Sequence, residues 1–111
     1  MILLEIYENV ERVGDAKVFA LDPSMSVTMA KFTPTSAYDI DRHANVVDGE
    51  YRGTRGGCLR IQLPDGSPMP VSDIAIHDYP NLDEAEVHVL ADTAESFAAM
   101  IAAYPELQAF F

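Results

Sequence analysis

Between residues 58 and 63 the chain alternates with a period of two: Leu59, Ile61 and Leu63 fall on one side, Arg60 and Gln62 on the other. Successive side chains of a strand point to opposite faces, so this run specifies a strand with one buried face. Ile2, Leu4 and Ile6 repeat the pattern near the start. Lys17 to Leu21 and Ser26 to Phe32 are β-prone, and Asp22-Pro23-Ser24-Met25 between them places Pro where a type I turn needs a pre-set φ, which predicts a hairpin. Pro64-Asp65-Gly66 predicts a second hairpin. Its return strand must start near Val71 and carry Ile74 and Ile76 at a sheet edge, because Pro68 and Pro70 cannot donate to a ladder. Val87 to Leu90 reads as one more strand.

One helix stands out. Asp92 followed by Glu95 reads as an N-cap with an acid at the third helical position. Phe97, Met100, Ile101 and Tyr104 then fall on one helical face, and Pro105 breaks the run. Leu107, Phe110 and Phe111 form an apolar terminal turn that needs a surface to pack on. Residues 33–57 read as a long irregular connection with one helical turn near Tyr38 to His43, punctuated by Asp48-Gly49, Gly53 and Gly56-Gly57. The expected fold is α+β: an antiparallel β-sheet of five to six strands with the Asp92 to Tyr104 helix packed on it. Residues 1–111 fit a single domain, long enough to bury a core.

Charge is distributed unevenly. All seven Lys and Arg precede Ile61, and the stretch from there to Phe111 carries nine carboxylates with no cation, within a net charge of −11. Because 49% of residues are apolar, this acid belongs on the surface of a folded domain and not in a disordered tail. A surface of one sign speeds encounter with partners of the other and repels nucleic acid, so direct nucleic-acid binding is not expected. The lone Cys58 excludes an intrachain disulfide, and the opening Met-Ile-Leu-Leu-Glu meets a carboxylate too early for a signal h-region or membrane span. A cytoplasmic setting is the expectation.

Three chemistries come into question for this chain. In Tyr51-Arg52-Gly53-Thr54-Arg55-Gly56-Gly57, Arg52 and Arg55 are candidate anion contacts, yet no helix follows and no Gly-Lys-Ser/Thr ending completes a P-loop. The favoured reading is a loop whose arginines pair with the chain's own carboxylates. Asp39, Asp41, His43 and Asp48 could suit a divalent ion, but they lack the EF-hand glycine and closing glutamate, and Arg42 sits among them. No metal and no cofactor are expected. Cys58 with His77 or His88 could form a thiolate pair, but Cys58 precedes a strand and no oxyanion-hole motif accompanies it, so no catalytic residue is assigned and no enzyme is expected.

The acids Asp73, Asp78, Asp83, Glu84 and Glu86 are the candidate partner-binding residues, since no lysine neutralises them. The run Val87-His88-Val89-Leu90-Ala91-Asp92-Thr93-Ala94-Glu95-Ser96-Phe97, continuing to Ile101, resembles the end of SUKH-superfamily immunity proteins, where a strand leads through an Ala-Asp-Ser-like cap into a helix. That family's N-terminal helix with its Leu-Pro step and its Asn-Gly-Gly turn have no counterpart here. The resulting expectation is a small non-enzymatic inhibitor that occupies a basic surface of a protein partner, of the immunity-protein or phage counter-defence type, with a nuclease or nucleic-acid-binding complex as target. The alternative is an assembly subunit self-associating through edge strands and the aromatic tail. A homodimer is compatible with the first reading.

Overall fold

The computed structural model describes residues 1–53 and 59–110. Among them, eight strands form one sheet: β1 (Leu3–Glu8), β2 (Glu11–Asp22), β3 (Val27–Pro34), β4 (Val46–Val47), β5 (Glu50–Tyr51), β6 (Leu59–Gln62), β7 (Val71–Tyr79) and β8 (Glu84–Ala91), in the spatial order β5-β4-β7-β8-β3-β2-β1-β6. Every pairing is antiparallel except β4 with β7, which makes the sheet mixed. The expected sheet of five to six antiparallel strands carrying one helix is therefore corrected: strands dominate, and the helices α1 (Ile40–His43) and α2 (Ala94–Ala103) are short.

The connectivity forces the sheet to curl. Its edge strands, β5 and β6, are consecutive in the chain, and the eight residue steps from Tyr51 to Leu59 reach at most about 29 Å. Eight flat strands about 4.8 Å apart would hold those edges about 34 Å from each other. The outcome is a half-barrel with a radius of gyration of 13.2 Å.

Inside the curl lie Leu4 and Ile6 of β1, Val18 and Leu21 of β2, Phe32 of β3, Ile61 of β6, Ile76 of β7, and Val87 and Val89 of β8, all buried. The concave side is filled by Phe97, Met100 and Ile101 of α2 and by Leu107 of the 3-10 segment Pro105–Phe110. Burying each such side chain stabilises by roughly 1.5–3 kcal/mol. Helix α2 is capped by Thr93, whose hydroxyl accepts from the Ser96 amide at 3.0 Å; Asp92, expected as the cap, lies one residue outside it. Phe110 packs half-buried against the core, and Phe111 lies outside the described residues.

Two further expectations are revised. The turn at Pro64-Asp65-Gly66 does not join β6 to β7 as a hairpin. Residues 67–69 fold back on β6, with the Leu63 amide donating to the Ser67 carbonyl and the Met69 amide to the Ile61 carbonyl. The chain then crosses to the other half of the sheet, because Pro68 and Pro70 have no N–H with which to continue a ladder. Strand β7 is flanked on one side by β8 and, at its far end only, by β4 on the other, so Val71 to Ala75 lie along an open edge while His77 and Asp78 do not. Residues 33–57, read as irregular, hold the end of β3, α1 and a β4/β5 hairpin. That hairpin turns on Asp48 (φ 50°) and Gly49 (φ 86°), the left-handed pair of a two-residue turn matching strand twist.

Candidate partner-binding surface

The segment between β3 and β5 closes one side of the half-barrel through a chain of polar contacts. Asp39 caps α1, its carboxylate accepting from the Asp41 amide at 2.9 Å. The His43 ring is buried. Its Nδ1 accepts the Asp39 backbone N–H at 2.9 Å, which leaves the ring proton on Nε2, directed at Glu8 Oε1 3.3 Å away on β1. Arg42 Nε reaches both Glu8 oxygens, at 3.0 and 2.8 Å, and this contact holds the Glu8 carboxyl below its ordinary range; burial opposes the shift and His43 reinforces it. The Tyr38 ring stacks on His43, meets Phe32 edge-on, and donates its hydroxyl to Asp78 Oδ2 at 2.7 Å. Burial, and then this bond to Asp78, pushes the Tyr38 phenol well above its ordinary range. Asn45 completes the closure: its side chain accepts from the Ile76 amide and donates to the Gly53 carbonyl.

These contacts set one end of the barrel. Asp48, on the β4/β5 turn, accepts from the Asn81 amide at 3.2 Å and so holds the 3-10 turn Pro80–Leu82 against the hairpin. Asp83 follows in the left-handed conformation (φ 53°), which projects Leu82 outward at 67% exposure. A groove of about 230 Å³ opens beside this turn, lined by Pro34, Asp78, Pro80, Asp83 and Glu84 with the Phe32 ring behind them.

The five acids expected to bind a partner thus divide. Asp78, Asp83 and Glu84 meet at this end; Asp78 faces inward, opposite buried Ala85, and is tied by Tyr38. Asp73 sits near the opposite end of β7, its carboxylate accepting from the Ile74 amide. Glu86 lies mid-sheet on the convex face, 3.1 Å from His88 Nε2, whose ring stacks on His77 at 4.3 Å. Burial, and then the neighbouring His88, holds His77 below its ordinary range. Asp48, in sequence a candidate metal ligand only, joins the acidic end; the signal for this is the Asp-Gly turn, which carries an acid outward on a hairpin tip. Leu82 gave no sequence signal.

Of the two candidate anion contacts, Arg52 stands 3.7 Å from Glu50, and Arg55 lies outside the described residues, as does Cys58. Asp39 and His43 are committed to capping and packing, and no group of three or more His, Cys, Asp or Glu suited to a metal ion occurs among the described residues. No helix among them is long and apolar enough to cross a membrane. Comparison with protein-family models, curated proteins and solved structures gives no match, so the likeness to immunity proteins rests on the β8-to-α2 segment alone.

Proposed function

We propose that this chain is a small non-enzymatic binding protein whose acidic end docks on a basic surface of another protein and occupies it, as an inhibitor of a nuclease or nucleic-acid-binding complex does. The observation that carries the reading is the juxtaposition of exposed Leu82 with exposed Asp48, Asp83 and Glu84 on a turn braced by hydrogen bonds. An apolar knob beside uncompensated acids combines a desolvated contact with a charged rim, the division of labour usual in protein interfaces. A target site shaped for phosphate supplies the complementary charge.

Assembly through edges and tail draws less support. Strand β5 offers two residues, the free side of β6 is covered by residues 67–69, and Leu107 is packed in the core, which leaves the Val71 to Ala75 edge of β7 as the stretch open to strand addition.

The test is capture from the native host's lysate with the wild-type chain and with Asp48→Lys/Asp83→Lys/Glu84→Lys as paired baits, the variant's fold checked by circular dichroism. A basic protein held by the first and lost by the second supports the reading. Equal retention by both overturns it.

A further inference from the structure

Among the described residues the convex face of the half-barrel carries no packed layer, because α2 and the 3-10 segment after it fill the concave side. Across its middle the strand registers align Leu3, Lys17, Lys31, Glu86 and His77, one residue each from β1, β2, β3, β8 and β7. Lys17 and Lys31 stand directly opposite each other, an arrangement that destabilises a strand pair, and Glu86, opposite Lys31 on β8, is the acid beside them, its carboxylate 3.1 Å from His88. Every other described cation has a partner: Arg12 has Asp15, Arg42 has Glu8, Arg52 has Glu50, and Arg60 has the Asn9 carbonyl and the Tyr7 ring. The two lysines form no ion pair among the described residues.

Beside them a bulge between Val18 and Ala20 inserts Phe19, whose ring stands 44% exposed. Lysines, ring, Glu84 and Glu86 line one open groove of about 310 Å³. At this level Lys17 and Lys31 put positive charge on β2 and β3, Glu84 and Glu86 put negative charge on β8, and the boundary between β3 and β8 is the centre of the eight-strand order.

A face divided in this way is complementary to itself. A two-fold axis lying in the face, parallel to the strands and over the β3/β8 boundary, reverses the strand order of the second copy and keeps the height along the strands. It sets Lys31 of each copy on Glu86 of the other, Lys17 over His77, and Leu3 over Val46 at the flanks. We propose that the chain forms an isologous homodimer through this convex face, held by two reciprocal Lys31/Glu86 contacts. The face measures roughly 24 by 17 Å over five strands, about 400 Å² a side, which is half a standard interface and makes the dimer a weak one. Glu84 borders both surfaces, but the paired residues Lys31 and Glu86 lie apart from Asp48, Leu82 and Asp83, so variants at Lys31 and Glu86 test the dimer independently of the proposed function.

Sedimentation equilibrium from low micromolar to half-millimolar protein tests it. Wild type should show a concentration-dependent dimer that weakens as salt rises. Lys31→Glu and Glu86→Lys should each weaken the dimer roughly tenfold or more, since two contacts change sign together. An equimolar mixture of the two variants should recover dimer, because every contact in the heterodimer again joins opposite charges; misfolded chains cannot produce that recovery. A wild type that stays monomeric, a dimer insensitive to salt, variants that dimerise as wild type does, or a mixture that stays monomeric overturns the proposal.

Discussion

The phenol of Tyr38 donates to Asp78 across 2.7 Å and fastens the segment after β3 to the last residues of β7. This bond crosses the mouth of the half-barrel and fixes the inner wall of the acidic groove.

Tyr38→Phe keeps the stack on His43 and removes only the bond. It should destabilise the fold by about 1–2 kcal/mol, the range for a half-buried hydrogen bond to a carboxylate, and lower Tm by several degrees. Because the folded-state pKa of Tyr38 is raised, its contribution is complete below the unfolded value near about 10 and is lost as pH rises beyond it. Ionisation of this phenol, read as the absorbance difference between wild type and Tyr38→Phe, should therefore coincide with alkaline unfolding followed by circular dichroism. Ionisation well before unfolding would show that the phenol is neither buried nor bonded.

Gly14 is a glycine for steric reasons. The ring of Phe32 and the Thr33 carbonyl occupy the space that a β-carbon there would need. Gly14→Ala should cost about 1–3 kcal/mol through displacement of the ring, which also carries the edge-on contact to Tyr38. A melting curve that matches wild type would mean the ring moves away freely.

Glu8 ties β1 to α1, and its lowered pKa gives an acid limb to the stability curve. A carboxylate with a depressed folded pKa contributes stability that is present above its unfolded value, about 4.3, and is lost as pH falls through the folded one. Glu8→Gln should therefore melt below wild type at neutral pH, and the two Tm curves should converge on acidification below about pH 4.5. Parallel curves would remove Glu8 from the account of acid stability.

Strands β1, β6 and β8 and the body of α2 were legible because period-two and 3.6 patterns run through them unbroken. The length of β2 was not. Its register shifts opposite β1 and again between Val18 and Ala20, so Val13 and Gly14 are buried in succession and alternation disappears. The second shift also hid the lysine pair: counting back from the turn after Asp22 without a bulge sets Val18 opposite Lys31, whereas the inserted Phe19 brings Lys17 there. Strands of two residues, β4 and β5, are too short to show a period. The acidic end was half legible, since chain order ran Asp73 to Glu86 together, while the pleat turned Asp78 inward and set Glu86 on the convex face.

In the proposed function, one acidic end recognises basic protein surface. Backbone amide shifts of the isotope-labelled chain, followed by NMR while a hexa-arginine peptide is added at physiological salt, test it most directly. Saturable changes should be confined to Asp48, Asn81, Leu82, Asp83, Glu84 and the residues they touch, and should be lost in Asp48→Lys/Asp83→Lys/Glu84→Lys. Changes spread evenly over all the carboxylates, or their persistence in that variant, would contradict it.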